Sequence, residues 1–85
     1  MEPVVSETID PAKELSRAHR YLRKHHWRMA IIYLDHLEGK YPHWGALFFA
    51  KALGFQGMHE TERAKEALSS ACRLGSREAC MKINR

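Results

Sequence analysis

The chain repeats itself. Tyr21, Ala30, Leu34 and Leu37 reappear thirty-four positions later as Phe55, Ala64, Leu68 and Ala71, and Ala18 and Ala52 each stand three residues before the aromatic. A fixed period between about twenty and fifty residues marks an array in which each helical hairpin buries its apolar face on a neighbour. Such an array is a scaffold that presents a surface. It does not name what the surface holds.

The local signals agree with hairpins. Residues 1–10 carry Val4, Val5 and Ile9 without a clear period and read as an N-terminal arm. Asp10-Pro11 is a helix start, because Asp caps free N–H groups and Pro fits the first helical position. A first helix is expected over Pro11 to His25, with Leu15, Ala18, Tyr21 and Leu22 on one stripe. A second covers Trp27 to Glu38, with Ala30, Ile31, Leu34 and Leu37 inward. Gly39 is the expected left-handed cap, and Pro42 blocks resumption. The third, His43 to Gln56, carries Leu47, Phe48, Ala52 and Phe55 and is closed by Gly57. The fourth, Glu60 to Leu74, turns Ala64, Ala67, Leu68 and Ala71 inward and stops at Gly75. Ser76 then caps a short helix over 76–84 bearing Ala79, Cys80 and Ile83. No β-type alternation interrupts the pattern.

Eighty-five residues make one small domain, in a size range where a single core stabilises only marginally. The net charge of +4 suits an acidic partner, nucleic acid or an anionic surface, and does not choose among them. No run approaches the roughly eighteen apolar residues of a membrane span. The first residues, Met-Glu-Pro-Val-Val-Ser-Glu, lack the basic start and apolar core of a secretory signal, so a cytoplasmic location is expected.

Catalytic and metal chemistry find little footing. A helical metal pair needs ligands three or four residues apart. His19, His25, His26, His36, His43 and His59 contain no such pair, and Cys72 and Cys80 lack the spacing of a zinc knuckle. Nothing resembles a nucleophile elbow, a phosphate-binding glycine loop or a paired-carboxylate site. No enzymatic activity, metal or cofactor is expected. The charge pattern is more informative. Lys13, Arg17, Arg20 and Lys24 follow i, i+4, i+7, i+11 and line one face of the first helix, with Arg23 and Arg28 nearby. That stripe is either a solvated outer face or a surface for nucleic-acid phosphates or acidic lipid. Stacking aromatics for single-stranded RNA would have to come from Trp27, Tyr41 and Trp44.

The paired helices resemble the tetratricopeptide repeat family, whose pattern is Trp-x2-Leu-Gly-x2-Tyr, then Ala-x3-Phe, then Pro. Repeat one, residues 11–44, matches at Ala18, Tyr21, Ala30, Leu34 in place of Phe, and Pro42. Repeat two, residues 45–78, matches at Phe48 in place of Trp, Ala52, Phe55, Ala64 and Leu68, with Ser76 replacing Pro. Both repeats depart from the family in the same way: Arg17 and Lys51 stand where Leu belongs. The tail from Ala71 to Cys80 resembles the cysteine-rich Sel-like repeats, in which two such cysteines staple one helix to the next. That resemblance implies a disulfide between Cys72 and Cys80, whereas a reducing cytosol would leave two thiols packed against Ala and Leu.

The resemblance implies an all-α fold: two tetratricopeptide-like hairpins and a short capping helix over residues 11–85, arranged as a right-handed solenoid. It also implies a concave groove lined by the first helix of each pair. Carried over, the family's contact positions include Leu15, His19, Leu22 and Arg23 from repeat one and Phe49, Leu53 and Gln56 from repeat two. An apolar groove with a basic end suits an amphipathic helix or an extended acidic segment of another protein. The competing reading is that the same apolar residues are core, or are covered by Val4, Val5 and Ile9 of the arm. The expected function is therefore protein binding, as an adaptor, chaperone or assembly factor, with self-association a second expectation because two repeats are few. The alternative is a nucleic-acid module using the basic stripe.

Overall fold

A computed structural model describes residues 11–83. Among these it contains five helices and no strand: α1 (Pro11–Arg23), α2 (Trp27–Lys40), α3 (Gly45–Gly57), α4 (Thr61–Arg73) and α5 (Arg77–Ile83). The arm, with Val4, Val5, Ile9 and Asp10, lies outside the described residues, as does the last residue expected in the capping helix. α1 and α3 begin at 11 and 45, and α2 and α4 at 27 and 61, an offset of thirty-four in both cases. Each helix packs on the next in the chain, and α1 also touches α3.

Three of the four connections are one turn used three times. His26 N–H donates to the Tyr21 carbonyl at 2.9 Å and His25 N–H to that of Leu22 at 3.0 Å. Glu60 and His59 make the same pair with Phe55 and Gln56, and Ser76 and Gly75 with Ala71 and Cys72. This closure satisfies carbonyls orphaned at a helix end and needs a left-handed residue just beyond it. That residue is His25 (φ 63), His59 (φ 62) and Gly75 (φ 100). The sequence predicts the stop at Gly75, but it runs α1 on to His25 with no special residue at the first turn and closes α3 with Gly57. Histidine tolerates this backbone better than branched residues do, and the two histidines are thirty-four apart. The α2–α3 connection is different. α2 continues through Gly39, which takes no left-handed conformation, and ends when Tyr41 N–H reaches the Leu37 carbonyl at 2.8 Å. α3 starts at Gly45 rather than His43, after Pro42.

The four alanines of the repeat pattern are buried: Ala18, Ala30 and Ala52 at 0% exposure and Ala64 at 3%. Small side chains here let helix axes approach closely. Ala18, Leu22, Ala30, Leu34, Leu37, Leu47 and Ala50 form one core cluster across α1, α2 and α3. Ala52, Ala67, Leu68, Ala71 and Ala79 form a second across α3, α4 and α5, and Phe48 packs on both. In α5 Ala79 is buried, whereas Ile83 is 44% exposed. In hairpin one the Tyr33 hydroxyl donates to the Glu14 carboxylate. Their counterparts thirty-four residues on, Ala67 and Phe48, are apolar, so one hairpin uses a polar tie where the other uses packing.

Lys51, one of the two residues standing where the repeat pattern has Leu, has a structural reason. Its ammonium lies 2.8 Å from Asp35 Oδ1 and 2.6 Å from Glu38 Oε1, tying α3 to α2, and 5.5 Å from the centre of the Phe48 ring. Burial pulls its pKa down, but the two carboxylates outweigh that and hold it above the usual lysine value.

Candidate functional site

α1 and α3 lie side by side, and their shared outer surface meets two shallow cavities at His19. The first, of about 530 Å³, is walled by Leu22, Leu53 and Trp27, floored by Gly57 and rimmed by Arg23 and Gln56. The second, also about 530 Å³, runs from His19 past Trp44, Ala46 and Phe49 to the α4–α5 turn and Glu78. Together they form a broken groove across α1, α3 and α5. At its far side the Lys82 ammonium sits 6.0 Å from the centre of the Phe49 ring. Five of the expected groove residues, His19, Arg23, Phe49, Leu53 and Gln56, line this surface. Leu22 lines it from beneath, being only 7% exposed and part of the first core cluster. Leu15 lines neither cavity and packs on that same cluster.

Trp27 is the groove residue that the sequence reading left as a loose aromatic. It belongs to α2, outside the first-helix positions that the repeat resemblance supplies. Its ring stacks on His25 (centroids 5.0 Å apart, planes 20°) and covers Gly57. A Cβ built on Gly57 would stand 2.2 Å from the indole, so the glycine is there for close approach. In the sequence Gly57 looks like any capping glycine; only the structure shows that it takes no left-handed conformation and lies under the indole. Tyr41 and Trp44, the other two aromatics, meet edge to face at 5.7 Å beside Pro42.

His19 is the titratable centre of the groove. Burial, chiefly, and the Arg23 guanidinium pull its pKa below the usual histidine value, while Glu78 across from it opposes the shift. The groove therefore presents an imidazole that holds its proton less tightly than a free one, flanked by an arginine and a carboxylate. Cys72 and Cys80 are joined in a disulfide, with Cα atoms 4.7 Å apart, which fastens the start of α5 to the last turn of α4. Among the described residues no three histidine, cysteine or acidic side chains gather as metal ligands do. None of the described helices is long and apolar enough to cross a membrane.

The basic stripe is continuous, with Lys13, Arg17, Arg20 and Lys24 all exposed. Thirty-four residues on, their counterparts are Leu47, Lys51, Gly54 and Met58. Leu47 is buried in the cluster with Leu34 and Leu37, Lys51 pairs with two α2 carboxylates, and a Cβ on Gly54 would meet Ile31 at 2.7 Å. The α3 face that receives α2 thus corresponds to an α1 face that carries four cations.

Comparison with protein-family models, curated proteins and solved structures finds no match to this chain.

Proposed function

We propose that this chain is a protein-interaction module of two stacked tetratricopeptide-like hairpins in a right-handed solenoid, capped by α5. Its groove takes an amphipathic helix or extended segment of another protein, and it acts as an adaptor, chaperone or assembly factor without chemistry of its own. A secretion chaperone holding a helix of its cargo is one specific form. The observation that carries this reading is the cavity at His19, apolar along Leu22, Leu53 and Trp27 and basic at Arg23. Binding free energy comes from burying that apolar strip, and Arg23 orients an acidic residue of the partner.

The test compares two variants as bait. Arg23→Glu with Gln56→Glu alters exposed groove positions without touching the core, unlike any change at buried Leu22. Lys13→Glu with Arg17→Glu alters the stripe. The groove variant should lose a partner that the intact chain captures, and the stripe variant should keep it. The reverse result would favour the alternative, a polyanion-binding face on α1, and would be matched by lost retention on heparin.

A further inference from the structure

The two second helices of the hairpins differ on their exposed sides. In α2, Met29 and Ile32 stand one turn apart, 50% and 59% exposed. Their counterparts in α4, thirty-four residues on, are Arg63 and Glu66, both exposed. The same packing plan therefore works with charged residues at these positions, and the apolar pair on α2 serves something other than the fold. Arg28 lies one turn before Ile32, and Asp35 follows it one turn later, so the stripe reads positive, apolar, negative. Asp35 keeps 59% of its side chain exposed while pairing with Lys51. Gly39 continues the stripe with open space above it.

That pattern is complementary to itself when reversed. We propose that two copies of this chain pair through the outer face of α2, antiparallel about a twofold axis near Ile32. Each Arg28 then meets Asp35 of the second copy, and the Met29 and Ile32 side chains of both copies cover one another. A twofold contact uses the same patch on each subunit, as this one does. A parallel pairing would set Arg28 against Arg28, and docking onto the α1 stripe would bring Arg28 to four further cations. The helix is fourteen residues long, about 21 Å, and a contact of that length buries less than the standard interface of about 1,600 Å². The dimer is accordingly a reversible one, and both grooves stay open because no groove residue but Trp27 lies on α2.

Sedimentation equilibrium of the full chain, from a few micromolar to several hundred, tests this. The expected result is a concentration-dependent rise from 9.9 kDa to twice that mass. Met29→Arg with Ile32→Glu, which gives α2 the residues of α4, should raise the dissociation constant on the order of a hundredfold. Arg28→Glu should raise it on the order of tenfold and weaken its dependence on salt. Under mild oxidation Ile32→Cys should form a covalent dimer, whereas Arg17→Cys should not, since the native cysteines are already paired. A monomer at every concentration, a dimer indifferent to the paired substitution, or cross-linking at Arg17→Cys alone would overturn the proposal.

Discussion

Gly57→Ala separates two reasons for a glycine at the end of α3. A cap in the left-handed region would make alanine unfavourable whatever surrounds it. The structure instead places the indole of Trp27 over an ordinary helical backbone, with ring atoms 2.2, 2.3 and 2.5 Å from an added Cβ. The ring is also stacked on His25 at 5.0 Å and packed on the first core cluster, so moving it disturbs both contacts. Forcing such an overlap costs about 1–3 kcal/mol, while alanine recovers about 0.5–1 kcal/mol of backbone entropy that glycine loses in a helix. The net expectation is a loss of up to about 2.5 kcal/mol, and each kcal/mol lowers Tm by roughly 4–8 °C in a domain of this size. Urea denaturation followed by circular dichroism should be run on Gly57→Ala, Trp27→Leu and the double variant. In the Trp27→Leu background the same Gly57→Ala change should become neutral or stabilise by up to about 1 kcal/mol. An equal cost in both backgrounds would refute the close-approach argument and return Gly57 to the role of a cap.

Three further outcomes follow from particular contacts. Lys51→Met should change stability by no more than about 1 kcal/mol, because Asp35 and Glu38 keep access to water, whereas Lys51→Glu adds a third carboxylate and should cost more than about 2 kcal/mol; the order of the two variants in urea is the check. The His19 imidazole binds its proton less tightly folded than unfolded, so its contribution is complete above the ordinary histidine pKa and is lost as pH falls from there through the lowered folded value. Melting curves from pH 7.5 to 5 should show that loss, and His19→Gln should flatten it. Reduction of Cys72–Cys80 should release α5, in which Ala79 is the buried residue; hydrogen exchange should then show α5 amides losing protection while α1, α2 and α3 keep theirs.

The thirty-four-residue period was enough to place four helices in order and to choose Ala18, Ala30, Ala52 and Ala64 as their points of contact, since residues of one size recurring on one face have no other economical packing. The groove residues came from the repeat resemblance rather than from the period, and all of them but Leu15 line the two cavities. What the period missed depends on contacts between helices. His25 and His59 look like surface histidines in the sequence, yet they hold the left-handed turns. Lys51 looks like a violation until Asp35 and Glu38 approach from α2. Leu15 carries the right spacing for the groove but packs on the first core cluster, while Leu22, a member of that cluster, still lines the cavity.

The linear order of residues by itself determined that this chain is a pair of helical hairpins with one charged outer face and a short terminal helix. Helical periodicity acts within a segment, and caps and prolines act over a few residues, so both are legible without coordinates. Only the tertiary structure decided which surfaces remain open. It placed Trp27 over Gly57, set His19 between Arg23 and Glu78, joined Cys72 to Cys80, and left Met29 and Ile32 bare on α2. Exposure is a property of what packs nearby, and neighbours in space are not neighbours in the chain.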